Sequence, residues 1–356
     1  MSELEYNQVA KIKVFGIGGA GCNAVNRMVE EDVKGVEFFV ANTDLQVLNI
    51  SPAKNKLVLG KTTTKGLGAG ANPEMGLKAA LESEDEIRSA MAGADMVFLT
   101  AGLGGGTGTG AAPLFAKIAK ESNILTIGIV TKPFSFEGKK RMEQALRGLD
   151  ELRQHVDSLI IVSNNQLLEV IGRIPFVEAF READNVLRQG VQTITDLIAV
   201  PAMINLDFAD VRTVMEGQGS ALIGIGLASG DTKAQDAAAM AITSPLLEAQ
   251  IRGARNAIVN VTGGESITLY DADAAVDFIR ESAGNDIDII FGVAINEALG
   301  DKIIVTVIAT GFDLPKSHQS TRPIADAKNV VESLQKDDPV VDEDEGNIPG
   351  FFKSRG

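Results

Sequence analysis

A seven-residue segment with five glycines, Gly104-Gly105-Gly106-Thr107-Gly108-Thr109-Gly110, constrains this chain more than any other stretch. It lies between an apolar run, Met96 to Leu99, and a helix-like run, Ala111 to Lys120. Because glycine has no Cβ, a ligand can approach its backbone N–H closely, and positive φ costs nothing. A glycine-rich turn that opens a helix directs several N–H donors and the positive end of the helix dipole at one point. The segment therefore predicts a phosphate-binding turn between a buried strand and a helix.

Composition narrows the classes of protein that the chain can represent. Its 356 residues suffice for two domains and a large core. The net charge of −15 argues against nonspecific binding of nucleic acid, so a phosphate ligand must be held by local donors. The single cysteine, Cys22, excludes an intramolecular disulfide. We expect no signal peptide, since the first residues are polar and acidic, and no membrane insertion, since no apolar run approaches the roughly 18–20 residues that span a bilayer.

Histidine chemistry is also excluded by the sequence. The two histidines, His155 and His318, are far apart, and neither lies beside a recognisable nucleophile motif. A histidine-rich metal site is therefore ruled out, and a Ser-His-Asp triad is not expected.

The first half of the chain alternates between apolar runs and helical patterns. Such alternation predicts an α/β fold, a parallel sheet with helices on both faces. The predicted strands are 12–17, 36–41, 57–59, 95–100, 124–130 and 158–162.

A single long helix and a second, smaller α/β region follow. Apolar residues recur every three or four positions through 177–198, which predicts a helix about 33 Å long that ends at Pro201. Beyond it, the pattern predicts a smaller domain with a mixed sheet. Its predicted elements are strands 221–228 and 257–261, helices 232–242 and 274–281, and two strands paired with each other, 287–293 and 303–309.

The last forty residues lose this pattern. Residues 316–345 are rich in Asp and Glu, which predicts a disordered acidic linker. The end of the chain, 348–355, turns apolar and basic. Such a tip is typical of a docking peptide, although a frayed terminus without function explains it as well.

Two further glycine-rich segments accompany the first. Gly16, Gly18 and Gly21 fit GxGxxG after a strand, and Asp44 stands about where a dinucleotide fold needs an acid, so an NAD-dependent oxidoreductase remains an alternative. The segment 68–73 is a third glycine-containing loop. Three such loops on one sheet edge fit a nucleoside di- or triphosphate better than a dinucleotide.

A Walker-type phosphate loop is excluded. Gly60-Lys61-Thr62 has the right ending, but Asn55 stands where that motif needs its first glycine. Any phosphate is therefore bound without a Walker lysine.

An acidic pair follows the predicted long helix. Asp207 and Asp210 are three residues apart, so both carboxylates share one face of a helical turn. Carboxylates can orient an attacking water or hold a cation. The alternative is structural: Asp207 or Asn205 caps a helix that starts near Phe208.

Three segments together resemble the FtsZ family of bacterial tubulin-like cell-division GTPases: Gly18 to Asn23, Gly104 to Gly110, and Asn205 to Asp210. The resemblance covers about residues 11–315 and also fits the tail. It implies a tubulin-like α/β fold with a disordered tail. The regions it implies are an N-terminal extension (1–10), a Rossmann-like GTP-binding domain (11–175), a central helix and connection (176–204), a GTPase-activating domain (205–315), an acidic linker (316–345) and a partner-docking peptide (346–356).

The resemblance also assigns residues. Glu137 would lie near the ribose, Arg141 near the nucleotide, Phe180 on the guanine and Asp184 at its edge. Asp207, Asp210 and Asn205 would be catalytic, in the nucleotide site of the next subunit. It implies Mg²⁺ held mainly by the phosphates, a monovalent cation in addition, and no dedicated metal ligands. The residues implied around the phosphates are Gly19, Ala20, Gly21, Cys22, Asn23, Gly105, Gly106, Thr107 and Gly108.

Cys22 stands where many members of the family have asparagine. A small buried thiol is the role expected for it, with oxidation or alkylation beside the phosphates as the alternative.

At the level of the cell, the resemblance implies a head-to-tail GTP-dependent homopolymer that forms the cytokinetic Z ring. Such a protein is cytoplasmic, at the midcell division site. Membrane-tethering and regulatory division proteins would bind the C-terminal peptide. The protein would not bind nucleic acid and would not insert directly into a membrane. A tubulin-like protein that partitions plasmids, or positions the division machinery without forming the ring, is a further alternative.

Overall fold

The computed structural model describes residues 10–172, 174–199, 203–204, 206–243, 250–284 and 286–312. Ten strands in these ranges form one sheet in the order β3-β2-β1-β4-β5-β6-β7-β10-β8-β9. The strands are β1 (Ile12–Ile17), β2 (Val36–Asn42), β3 (Asn55–Val58), β4 (Met96–Gly102), β5 (Leu125–Lys132), β6 (Ser158–Ser163), β7 (Gly219–Ala228), β8 (Asn256–Gly263), β9 (Asp288–Ile295) and β10 (Ile303–Thr310).

Eleven α-helices connect and cover these strands within the described ranges. None of them is both long enough and apolar enough to cross a membrane. The helices are α1 (Gly18–Glu30), α2 (Leu45–Ile50), α3 (Pro73–Glu82), α4 (Glu84–Met91), α5 (Thr107–Glu121), α6 (Lys139–Arg153), α7 (Asn164–Ile171), α8 (Phe176–Ala199), α9 (Phe208–Met215), α10 (Lys233–Ile242) and α11 (Leu269–Ala283).

The sheet has a parallel half and a mixed half. Strands β1 to β6 are all parallel, and β7 continues them through only three pairs, which join 158–160 to 219–221. Strand β10 then runs antiparallel to both β7 and β8. The parallel sheet and the mixed sheet expected from the sequence are thus two parts of one continuous sheet.

Side-chain alternation along the strands fills a core on each face of the parallel half. In β1, Val14 faces a core that contains α1, α8 and α9, while Phe15 faces a core built with α3 to α6. The first core continues under the mixed half, where it includes Ile258 and Ile308. A third core packs α10 and α11 against the other face of β8 and β10. The first core therefore joins the two halves of the molecule.

Helix α8 confirms the predicted long helix and crosses the parallel half. At its start, Phe180 packs edge-on against Phe134, which follows the carboxyl end of β5, with ring centroids 5.1 Å apart. Ten residues later, a Cβ added to Gly190 would lie 3.2 Å from the Cγ2 of Ile129 in the middle of β5. The helix therefore runs from the carboxyl edge of the sheet toward the amino edge. Pro201, expected to end it, lies outside the described residues.

The structure corrects one predicted pairing. Strands β9 and β10, expected to pair with each other, are separated by β8. Strand β10 is buried along most of its length on both faces, so it takes an interior position. Strand β9 carries exposed residues such as Phe291 and Ile295 and lies at the edge. Helices α2 and α7 were not predicted, because each is too short for a helical repeat to be recognised directly after a strand.

Removing a buried side chain from α8 tests its structural role. Leu187 is fully buried in the first core, and Val177 on the same helix is 70% exposed. We expect Leu187→Ala to lower the free energy of unfolding by about 2–5 kcal/mol, because it leaves a cavity between the two halves. Val177→Ala is the control, with a change of about 0.5 kcal/mol or less. Equal effects in urea titrations of the two variants would contradict the bridging role of α8.

Candidate functional site

The N-termini of α1 and α5 meet at the carboxyl ends of the neighbouring strands β1 and β4. A Cβ added to Gly18, whose φ is +74°, would lie 2.7 Å from the backbone nitrogen of Gly108. One added to Gly108 would lie 2.8 Å from the carbonyl oxygen of Gly102. Real Cβ atoms do not approach other atoms so closely, so these positions need glycine for the packing of the two turns.

Both of these helices begin without a side-chain cap. Neither α1 nor α5 has a side chain that accepts a hydrogen bond from its first turn. Side chains of Asp44, Asn72, Asp207 and Thr268 cap α2, α3, α9 and α11, whereas α4, α6, α7 and α10 also begin without a cap. What distinguishes α1 and α5 is that their first turns meet. The first N–H groups of a helix need an acceptor, and two helix dipoles add their positive ends here. The meeting point is therefore suited to an anion.

Two glycines at this point are not explained by packing. A Cβ added to Gly19 or Gly105 would meet nothing within 4 Å, and neither residue has a strained φ. A side chain would thus fit in the protein as it stands. The open space over the two uncapped turns fits a phosphate group that comes close to bare backbone.

The third glycine-containing loop rests on the α5 turn. A Cβ added to Gly106 would lie 2.8 Å from the Cβ of Ala69 and 2.9 Å from the nitrogen of Asn72. Asn72 then caps α3 by accepting a hydrogen bond from the Glu74 N–H at 3.0 Å. The structure thus brings the three loops together at one edge of the sheet.

Aromatic and charged side chains lie at the β5 end of the same edge. Phe136 stacks on the buried Phe134, with ring centroids 5.0 Å apart, and Phe134 contacts Phe180 on α8. Glu137 accepts a hydrogen bond from the Phe134 N–H at 2.8 Å and lies 3.1 Å from the Nε of Arg141. The residues expected near the ribose and the base are therefore neighbours.

Asp184 is buried on α8 at this end of the site. Its Oδ2 lies 3.8 Å from the Nε of Arg27 on α1. Loss of hydration on burial raises the pKa of Asp184, and the positive charge of Arg27 opposes this increase. The net pKa is about 7. A carboxyl group with this pKa can accept hydrogen bonds from a ligand when it is ionised.

Two polar residues at this end were not predicted. Among the described residues, the buried Nε of Arg27 and the buried Oδ1 of Asn164 have no hydrogen-bond partner. Buried polar atoms are nearly always paired, so both are candidates for ligand contacts. Asn164 could have been identified from the sequence as a candidate ligand contact, because it directly follows β6. Arg27 could not, because the sequence shows it only as a residue in the last turn of an amphipathic helix.

Cys22 and Thr107 use their side chains inside the protein. The Cys22 thiol is buried, and its single S–H can donate to the carbonyl oxygen of Gly16 at 3.5 Å or to that of Ala41 at 3.7 Å. Burial raises the pKa of this thiol to about 12. It is therefore a protonated core thiol. The hydroxyl of Thr107 lies 2.7 Å from that of Thr43. Only the backbone of these two residues is free to face a ligand, whereas Asn23 is exposed.

The acidic pair caps α9, as the capping alternative predicted. The Asp210 N–H donates to Oδ1 of Asp207 at 2.9 Å, and the Asp207 N–H donates to Oδ2 of Asp210 at 3.0 Å. Each carboxylate thus uses one oxygen in this capping box, and Asp207 is exposed. Asn205 lies outside the described residues.

The structure does not bring this pair to the glycine turns. From Phe180, at the carboxyl edge, α8 rises about 29 Å to its end at Ala199. Beyond α8, Ile204 bridges to β9, and the carbonyl of Met215 at the end of α9 accepts from the Ser158 hydroxyl at the amino end of β6. Within the described ranges, no group of three or more His, Cys, Asp or Glu could hold a metal ion.

Comparison with known proteins defines the class. Residues 11–172 match the Tubulin/FtsZ family GTPase domain, and residues 219–313 match the FtsZ family C-terminal domain. An empty FtsZ dimer of M. jannaschii is 43% identical over 86% of this chain and 90% of its own, with a TM-score of 0.81. A tryptophan-to-tyrosine variant of FtsZ from M. jannaschii is 44% identical over 85% and 91%, also with a TM-score of 0.81. A GTPγS-bound protofilament of CetZ2 from Haloferax volcanii shares the fold at 21% identity and a TM-score of 0.71, over 84% of this chain and 92% of its own.

The fold and the two family matches define a tubulin-like GTPase. Within that class, the chain belongs to the FtsZ family. The oxidoreductase alternative is therefore wrong, and Asp44, which had suggested it, caps α2.

Placing a side chain in the open space over the turns tests the anion site. Gly105→Ser adds atoms where the protein offers room, so we expect an unchanged melting temperature for the nucleotide-free protein. Because the side chain would occupy the space of a phosphate, guanine nucleotide affinity should fall at least about tenfold. Gly106→Ser is a poorer test, since its side chain would collide with Ala69 and Asn72. Unchanged affinity of Gly105→Ser in equilibrium titrations would place the phosphates elsewhere.

The pKa of Asp184 predicts a pH-dependent stability. The folded-state pKa of about 7 lies above the ordinary value of 3.8. The protonated Asp184 carboxyl therefore makes a favourable contribution to the free energy of unfolding. This contribution is fully present below pH 4 and is lost as the pH rises through 7. We expect Asp184→Asn to remove this loss, which amounts to at most about 4 kcal/mol. The measurement is the free energy of unfolding of the nucleotide-free protein at pH 5 and pH 8. Glu178→Gln is the control. An identical pH dependence in wild type and Asp184→Asn would contradict the prediction.

Proposed function

We propose that this chain binds GTP at the three glycine loops and hydrolyses it between the subunits of a head-to-tail homopolymer. The observation that carries the proposal is the separation of two sites. Two uncapped helix turns suited to an anion meet at the carboxyl edge of the sheet, and an acidic pair, exposed Asp207 and half-buried Asp210, lies beyond the far end of α8. One subunit cannot supply both to one nucleotide, but two subunits in a row can.

The nucleotide would lie along the carboxyl edge. Its base would contact Phe180 and Asp184 near β5, where Phe134 and Phe136 add an aromatic surface. Glu137 and Arg141 would contact the ribose and its neighbourhood. The phosphates would bind the two uncapped turns, which comprise Gly19, Ala20, Gly21, Cys22, Asn23, Gly105, Gly106, Thr107 and Gly108.

Guanine fits the charged end of this site better than adenine. Guanine presents two donors side by side, N1–H and the N2 amino group, and an ionised Asp184 can accept from both. Adenine lacks this donor pair. Burial removes water from the Asp184 carboxylate and so raises its pKa. Hydrogen bonds from the guanine N–H groups would stabilise the ionised carboxylate and so lower the pKa again.

Asp207 and Asp210 would act on the nucleotide of the next subunit. Their carboxylates would polarise the attacking water, with Asn205 beside them. Mg²⁺ would be held mainly by the phosphates, with a monovalent cation near the contact between subunits. One carboxylate oxygen of each Asp serves the capping box, which fixes the direction of the other.

Exposed apolar residues at both ends support the head-to-tail contact. Leu67 is 84% and Phe136 59% exposed at the carboxyl edge. At the other end, Met203 is 72% and Ile295 45% exposed. Two different patches that cover each other form a heterologous contact, which produces a filament when the rotation between subunits does not close a ring. Loss of the γ-phosphate on hydrolysis would weaken that contact.

Membership in the FtsZ family supports a proposal for the cellular role. The filaments would form the cytokinetic ring at the midcell division site in the cytoplasm. The C-terminal peptide would bind membrane-tethering and regulatory division proteins. In this proposal, 11–175 bind the nucleotide, 176–204 connect, 205–315 supply the acidic pair, 316–345 form a linker, and 346–356 dock partners.

Removing one carboxylate tests the shared site. Asp210→Asn keeps an oxygen that can accept the hydrogen bond from the Asp207 N–H but loses the charge. We expect GTP turnover to fall at least about a hundredfold while GTP binding is unchanged, because the variant's own pocket is intact. Added to wild type, the variant should inhibit turnover more than dilution does.

The chain provides a matched control on another helix. Asp271 forms an equivalent capping box with Thr268 at the start of α11. Asp271→Asn therefore changes a capping charge elsewhere and should leave turnover near wild type. Normal phosphate release by Asp210→Asn would end the shared-site proposal.

A further inference from the structure

Thr43 joins two of the three glycine loops. It is fully buried and follows the end of β2. Its hydroxyl lies 2.7 Å from that of Thr107, the first residue of α5. Its carbonyl oxygen accepts from the Gly68 N–H at 3.1 Å and from the Thr64 hydroxyl at 3.2 Å. One residue thus connects the α5 turn to the loop at 64–72.

The backbone conformation of the 64–72 loop is strained and needs stabilising contacts. Lys65 and Ala71 have φ of +53° and +55°, in the left-handed region that favours glycine. Such conformations each cost about 1–3 kcal/mol and persist only where the surroundings fix them. Glu82 on α3 holds the preceding turn by accepting from the Thr62 and Thr63 N–H groups at 2.7 and 2.8 Å. Thr43 holds the middle of the loop.

The sheet order indicates which part of a nucleotide this loop would meet. The aromatic cluster of Phe134 and Phe180 lies at the β5 side, whereas the 64–72 loop lies at the β2–β3 side. With the base at the β5 side, the phosphates extend across β4 and β1 toward this loop. The last phosphate would therefore be the one nearest to it. This step rests on the proposed function.

We propose that Thr43 is a positioning residue for the terminal phosphate. Its hydroxyl sets the 64–72 loop against the start of α5, and this spacing would make the protein bind GTP more tightly than GDP. Thr43 touches no phosphate itself. Its effect is on the difference between the two nucleotides.

Two substitutions separate the hydroxyl from the rest of the side chain. Thr43→Val keeps the shape and removes the hydroxyl, and Thr43→Ser keeps the hydroxyl. Thr126→Val is the matched control, because Thr126 is equally buried and donates to the Ile124 carbonyl at 2.8 Å, away from the loops. We expect Thr43→Val to lower the GDP dissociation constant divided by the GTP dissociation constant about tenfold. A change of this size corresponds to the free energy of one hydrogen bond. Thr43→Ser and Thr126→Val should keep the wild-type ratio.

A second readout needs no nucleotide. Amide hydrogen exchange of residues 64–72 in the nucleotide-free protein should be faster in Thr43→Val than in wild type, and unchanged in Thr126→Val. An unchanged affinity ratio in Thr43→Val overturns the proposal, as does a Thr43→Ser variant that behaves like Thr43→Val. If the wild-type protein binds no guanine nucleotide, the proposed function is overturned instead. Amide hydrogen exchange of residues 64–72 then tests whether Thr43 positions the loop. Unchanged exchange in Thr43→Val would overturn that role as well.

Discussion

The structure depends on holding two helix N-termini together. At the Gly18–Gly108 contact, the positive ends of the α1 and α5 dipoles point at one place without a side-chain cap. These like partial charges repel, and their N–H groups lack the usual acceptors. The six-residue pairing of β1 with β4, and a packed core on each face, keep them in place. An anion at this point would relieve both costs, so a phosphate ligand would stabilise the fold while the fold orients the phosphate.

Helix α8 extends this local arrangement to the length of the molecule. It begins beside the aromatic cluster, carries Asp184 next to Arg27 of α1, and buries Leu187 and Val191 in the core shared by both halves of the sheet. The acidic pair follows its far end. A continuous set of contacts therefore links α1, through Arg27 and Asp184, to α8 and to the surface beyond its far end.

Much of this fold could be predicted from local patterns, and the rest depended on contacts between distant segments. The strands near 12–17 and 95–100, the glycine turns and the long helix each leave a periodic or compositional signal. The insertion of β10 between β7 and β8 has none, because strand order depends on long-range burial. Asp207 shows a further limit: its spacing to Asp210 fits both a capping box and a reactive pair. The structure shows the capping box, which uses one oxygen of each carboxylate. The Nε of Arg27 and the Oδ1 of Asn164, which have no hydrogen-bond partner, could be recognised only once their surroundings were known.

If hydrolysis needs two subunits, one subunit alone lacks a complete hydrolytic site. Phosphate release from GTP with magnesium, measured as a function of protein concentration with light scattering recorded on the same samples, tests this. We expect negligible specific activity below a critical concentration and a rise that accompanies scattering. Specific activity that does not depend on concentration would mean a self-contained site, and would contradict the assignment of Asp207 and Asp210 to the nucleotide of a neighbouring subunit.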